Sequence, residues 1–174
     1  LQNFDVFIVS DDAAGGKLDY LINFTILGWV NMTGNGILIS SGADGCDNNP
    51  VITKGHGISE DTDNDLSFYI GINASTRKMC FDMEATTSAN NPVLSTTTFD
   101  NGELHHFAAV YNGSTSMIYV DGILESSLAW AGTPTINDSH DIGIGRSCNH
   151  QTCNNGAFNG TIDEIAIFNR SLTT

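Results

Sequence analysis

The chain is poor in positive charge. Its 174 residues hold six Lys and Arg against twenty Asp and Glu, a formal net charge of −14. A nucleic-acid site needs a basic patch to neutralise phosphates, and six scattered cations do not make one. The same shortage argues against an anionic membrane surface as a partner. No apolar run reaches the eighteen or so residues of a membrane span, so direct insertion is not expected. Ala-Leu-Glu-Lys runs of helical period are missing, and no amphipathic helix, repeat or domain linker can be read. Signatures of catalysis are missing as well. There is no G-x-S-x-G elbow, and no strand carries carboxylates at alternate positions, as an acid pair for glycoside hydrolysis would require. The expectation is that this segment is not an enzyme.

What is present points to β structure. Apolar residues make up 40% and glycines number eighteen. At this length one domain, residues 1–174, is expected, with a sizeable core. The clearest local signal is Leu104–Tyr111 and Ser116–Val120 flanking Asn112-Gly113-Ser114, with a second turn at Asp121-Gly122. Asn-Gly and Asp-Gly between β-branched runs mark hairpins, because both residues tolerate positive φ. Both alternating faces of 104–111 are largely apolar, which predicts a central strand with His105 and His106 as strand residues. Further strands are predicted at Phe4–Val9, Phe24–Val30 with Trp29 in the core, Gly36–Ser41, Leu66–Ile72, Met79–Met83, Val93–Thr98, Ile123–Leu128, Asp141–Gly145 and Phe158–Asn169. Gly42–Asp65 and Arg146–Ala157 read as polar loops, the second clamped by cysteines. Short strands with Gly/Asn turns predict an all-β, two-sheet antiparallel β-sandwich of jelly-roll form.

Cysteines and sequons speak to compartment. An even count, Cys46, Cys80, Cys148 and Cys153, suggests two disulfides in an oxidising setting. Cys148 would pair with Cys153, and Cys46 with Cys80. Loop-closure entropy is worth roughly 2 and roughly 4 kcal/mol respectively. Free thiols, or zinc held by Cys148, His150 and Cys153, are the alternatives. Asn-x-Ser/Thr occurs at Asn23, Asn31, Asn73, Asn112, Asn137, Asn159 and Asn169. Either Asn-rich composition produces these sequons, or the surface is glycosylated and extracellular. The chain starts at Leu1 without Met, as expected of a mature or excised part of a longer extracellular protein.

Three stretches carry a family resemblance. The hairpin resembles the W-H-H-V-A-x-x-Y-D-G…x-L-Y-V-D-G core of laminin-G-like, concanavalin-A-like jelly-roll domains, related to pentraxins, with Leu104 for the Trp and Asn112 for the first Asp. Phe158 to Leu172, FNGTIDEIAIFNRSL, is similar to F-x-G-x-I-D-E-V-R-I-Y-N-R-A-L. Phe24–Val30 resembles F-T-I-S-A-W-V. The resemblance implies a calcium ion at a rim of the sandwich, carried onto Asp11, Asp12 and Asp163. The alternative for Asp163 is a turn-capping role. Glu60–Asp65 begins like an EF-hand loop, but Leu66 and Ile72 stand where Gly and Glu are needed. That stretch remains either a looser ion site or a solvated acidic loop, which Asp44 and Asp47 could join. Sandwich hydrolases carry E-x-D-x-x-E, and the first Glu is absent before Asp163-Glu164.

For ligands, Trp130 with Asn149 and His150 forms a candidate sugar site, aromatic platform beside amides. Trp130 packing beneath its own loop is the preferred alternative. The expected function is a non-catalytic extracellular or cell-surface recognition and adhesion module. It would bind carbohydrate or glycoprotein, with calcium support and its own N-glycans. The second expectation is a self-assembling structural subunit of a glycosylated extracellular filament, sheath or coat.

Overall fold

The structure is a computed structural model. It describes residues 7–9, 21–40, 47–55, 66–84, 90–130, 132, 134, 141–149 and 152–172, with the side chains of 7–9, 39–40, 47–48, 66, 148–149 and 152–155 outside the description. Fourteen strands and no helix occur among these residues. They are β1 (Phe7–Val9), β2 (Phe24–Met32), β3 (Ile39–Ser40), β4 (Asp47–Gly55), β5 (Leu66–Asn73), β6 (Lys78–Asp82), β7 (Val93–Thr98), β8 (His105–Tyr111), β9 (Thr115–Val120), β10 (Ile123–Ala129), β11 (Ile142–Ile144), β12 (Ser147–Asn149), β13 (Thr152–Asn155) and β14 (Gly160–Phe168). They form two antiparallel sheets. One runs β10-β9-β8-β2-β14. The other runs β1-β11-β4-β5-β6-β7, with β3 and β12 also on β4 and β13 on β12. This is the expected sandwich.

The core follows from strand alternation. Phe24, Ile26, Val30 and Met32 of β2 point inward, as do Phe107, Ala109 and Tyr111 of β8. They meet Phe68, Ile70, Ile72, Met79 and Phe81 of the larger sheet. Phe24 sits at the centre, its ring about 6 Å from those of Phe68, Phe81 and Tyr111. Such tilted and edge contacts suit the ring quadrupole.

Three expectations need correction, and one turn is refined. Residues 42–65 are not one loop, since β4 lies within them and pairs with β5 and β11. Its apolar centre is only Val51 and Ile52, yet Thr53 and Lys54 are also buried, because neighbours flank the strand on both sides. Pro50 sits at a register shift, where a missing N–H breaks no regular ladder. Residues 146–157 are likewise not one loop, since they contain the β12–β13 pair. At the first hairpin only Gly113 has positive φ (91°), whereas Asp121 (50°) and Gly122 (81°) both do. The mirror-type turn is therefore the second one. Trp29 does not join the core: on β2 it alternates with the inward residues, half-buried on the outer face.

Candidate functional site

The outer face of the five-stranded sheet can be built from its register. Trp29 pairs with His106 on one side and Asp163 on the other. Leu27 lies between Ala108 and Ala166, and Ala108 is in turn opposite Tyr119. Thr25 lies between Val110 and Phe168. Directly paired residues project to the same side, so these three rows share one face.

Ala108 is the small residue in the middle row, and a hollow of about 160 Å³ opens above it. Leu27, Val110 and Tyr119 wall it, with His106 at one end and Leu172 at another. Leu172 reaches the face because the chain after β14 folds back over β2. The Thr25 hydroxyl donates to the Arg170 carbonyl at 3.1 Å and accepts from the Leu172 N–H at 2.9 Å. Arg170 places its guanidinium 6.0 Å from the Phe168 ring centroid, a cation–π contact on an exposed arginine.

The Trp29 row is more polar. The Trp29 and His106 rings meet edge to face at 5.2 Å. Asp163 is exposed, one carboxylate oxygen taking the Glu164 N–H at 2.9 Å. The ladder slips between Asp163 and Ala166, and Glu164 takes the left-handed φ of 51°. The bulge swings Ile165 over Gly28, where a Cβ would come within 2.5 Å of its Cδ1. Gly28 therefore lets the edge strand bulge while the core stays filled.

A second polar group lies at the β8–β9 end of this sheet and is committed to structure. Asn101 Oδ1 takes the Glu103 N–H, so its amide nitrogen faces His105 Nε2 at 2.9 Å. His105 Nδ1 then donates to Asp121 at 2.7 Å, and the His106 N–H also donates to Asp121 at 2.9 Å. Burial alone would raise the Asp121 pKa, but these hydrogen bonds and the nearby histidines hold it below the ordinary value. Both ring nitrogens of His105 are engaged, so neither is open to activate a nucleophile.

Of the ligand and metal residues proposed from sequence, the side chains of Trp130 and Asp163 are described. Trp130 is only 9% exposed and its ring packs edge to face on Tyr111 at 5.6 Å. Gly132 lies so close that a Cβ would approach Trp130 Cε2 within 2.5 Å. Trp130 is thus a core residue beneath its loop and offers no stacking platform. Asp11, Asp12, Cys46, Asn137, His150 and the 60–65 stretch lie outside the described residues, as do the side chains of Cys148, Asn149 and Cys153. Cys80 is fully buried and disulfide-bonded, its partner outside the described side chains. No group of three or more His, Cys, Asp or Glu suited to a metal occurs among the described residues. Asp163 alone, with one oxygen already bonded, is not a calcium cage. Sequence reasoning missed Trp29 as a surface residue. Its parity could have found it, since it is in phase with Thr25 and Asn31 rather than with Phe24 and Ile26.

Comparison with known proteins bears on the fold. No curated protein sequence matches the chain. Among solved structures, the CBM40 module of the Ruminococcus gnavus IT-sialidase, bound to α2,3 sialyllactose, superposes with a TM-score of 0.72 at 12% identity. That match covers 99% of this chain and 90% of the module. A heptameric SAP-like pentraxin from Limulus polyphemus gives 0.56 at 13% identity, over 87% of this chain and 65% of the pentraxin. Domains LG4-5 of the mouse laminin alpha1 chain give 0.55 at 14%, over 87% of this chain and 36% of theirs. Residues 12–174 match the laminin-G-like family described as the concanavalin A-like lectin/glucanases superfamily, and the chain belongs to it.

Proposed function

We propose that the protein is a non-catalytic extracellular module that binds carbohydrate on the outer face of its five-stranded sheet. One observation carries the reading: an apolar hollow over Ala108 adjoins a row of Trp29, His106 and Asp163. Sugar rings have an apolar C–H face and a rim of hydroxyls. The aromatic side chains would cover the first, and the open oxygen of Asp163 would accept from the second. That the similar IT-sialidase module was solved with a bound sialyllactose supports the choice of ligand class. The extracellular setting is supported by the Cys80 disulfide and the sequons. No described helix is long and apolar enough to cross a membrane. Calcium stays part of the proposal, with Asp163 joined by Asp11 and Asp12.

The test is calorimetric titration of the chain with a glycan panel. Trp29→Ala, and Ala108→Leu, which fills the hollow, should each weaken binding tenfold or more, about 1.4 kcal/mol. Thermal stability should change little. Glycan binding that neither substitution touches would place the site elsewhere. The second reading, self-assembly, is favoured by the exposed side chains of Ile123, Leu124 and Leu128 on β10, an apolar patch of the kind that marks protein contacts. Sedimentation showing only monomer at high concentration would dismiss it.

A further inference from the structure

Three of the described sequons meet at one end of the five-stranded sheet. Phe24 pairs with Tyr111, and Thr25 with Phe168. Asn23, Asn112 and Asn169 are each the next residue beyond those pairs. They therefore sit side by side where β2 begins and where β8 and β14 end. The Asn112 turn lies directly against the segment before β2, a Cβ on Gly113 coming 3.9 Å from the Ile22 carbonyl oxygen.

Their amide nitrogens have no partner among the described residues, although Asn23 is half-buried. Asn112 is exposed and uses only its oxygen, which accepts from Ser114 N, Ser114 Oγ and Thr115 N at 2.9–3.1 Å. Its nitrogen has no partner among the described residues. The side chains of Asn23 and Asn169 make no hydrogen bond there, and Asn169 is exposed.

Three other sequons are closed. Asn73 is 5% exposed, and its oxygen gathers four bonds from Ser75 and Thr76. A sugar attached there would have to break that turn. At Asn31 the amide nitrogen donates to the Gly102 carbonyl at 2.8 Å, and its oxygen is buried. At Asn159 the nitrogen faces the Asn35 carbonyl at 3.4 Å, and the oxygen takes the Thr33 hydroxyl. Asn31 and Asn159 both lie toward the opposite end of the sheet.

We propose that N-glycosylation is confined, among the described sequons, to a single pole formed by Asn23, Asn112 and Asn169. In the transfer the amide nitrogen bonds to C1 of an oligosaccharide carried on a lipid diphosphate. The C1–O bond to the diphosphate breaks, and the nitrogen gives up one proton. The Trp29 row lies four residues along β2 from Thr25, about 13 Å away. The points of attachment therefore lie off that row. This inference does not depend on the carbohydrate-binding proposal.

The test is secretion of the full chain from a glycosylating eukaryotic host in an Asn137→Gln background, followed by intact mass and glycopeptide mapping. At least two of the three pole sites should carry sugar, and each Asn→Gln change at an occupied site should remove one oligosaccharide from the mass. Ser114→Ala removes the Asn112 sequon while keeping the turn-forming asparagine, in case Asn112→Gln fails to fold. Sugar on Asn31, Asn73 or Asn159 of the folded protein, or on fewer than two of the pole sites, overturns the proposal.

Discussion

The two edges of the five-stranded sheet solve the same problem with opposite uses of a carboxylate. Both edge strands carry a bulge, and both bulges hold an acid: Glu125 in β10, where the register slips between Leu124 and Ser126, and Asp163-Glu164 in β14. A bulge twists an edge and spoils pairing with a foreign strand. At β10 the acid turns inward across the sandwich. Glu125 accepts from the N–H of Thr96 and of Thr97 and from the Thr97 hydroxyl, all at 2.5–3.0 Å, and so ties β10 to the edge strand β7 of the other sheet. At β14 the acids turn outward, and among the described residues Asp163 bonds only its own neighbour. A carboxylate in a bulge is thus no ligand site in itself; what already occupies its oxygens decides.

The largest effect should come from the closed edge. Glu125→Ala strands two backbone donors and a hydroxyl at once. Hydrogen bonds to a charged group contribute about 1.5–3 kcal/mol net. Glu125 is half-exposed, so the loss should be about 1–2 kcal/mol once water screening is allowed for. Differential scanning calorimetry should then show a melting point a few degrees lower. Asp163→Ala in chelator should leave it within about half a kcal/mol of the parent, as for a surface change. Equal losses at both edges would erase the contrast.

Titration sharpens the same comparison. Burial alone would raise the Glu125 pKa, but the hydrogen bonds from Thr97 and Thr96 outweigh it and hold it below the ordinary 4.5. A depressed folded pKa means the carboxylate stabilises the fold fully above the unfolded value. That contribution fades as pH falls from about 4.5 through the folded pKa. The penalty of Glu125→Gln should therefore be present at pH 7 and shrink below pH 4.5. A penalty independent of pH would assign the role to packing instead of charge.

The open edge gives the next smaller effect. With calcium added, Asp163→Ala should lower the melting temperature relative to the parent; with chelator the two should coincide. A loss of the same size in chelator would remove the metal from the account of this edge.

How much of this was legible depends on whether a feature is local. The β8–β9–β10 run announces itself because alternation and Gly turns are written in adjacent residues, and the outer edge β14 was readable from its resemblance. β4 was not, since DNNPVITKG has a proline, two asparagines and a lysine. Its burial comes from β5 and β11, which no window of its own residues contains. The candidate site was half legible. Asp163 was chosen, though for a metal, and Trp29 was assigned inward, against its own parity. For Trp130 the preferred reading, packing beneath its own loop, holds, since Gly132 and Tyr111 close over it. The Glu125 tie joins residues 28 apart across two sheets, and nothing in either stretch signals the other.

The smallest expected effect concerns Glu164, the left-handed residue of the outward bulge. Holding a non-glycine residue at φ near 51° costs about 1–2 kcal/mol per residue. Glycine removes that cost but raises the entropy of the unfolded chain by up to about 1 kcal/mol. Glu164→Gly should therefore be neutral to slightly stabilising, by less than about 1 kcal/mol, in denaturant unfolding. Glu164→Ala keeps the Cβ and its strain, and should show no gain. The pair matters for function because the bulge aims Asp163 beside Trp29. If glycine relaxes the bulge, glycan affinity should fall while stability rises. If affinity and stability move together, the strain serves only to blunt the edge, and the outward acids lose their claim to the site.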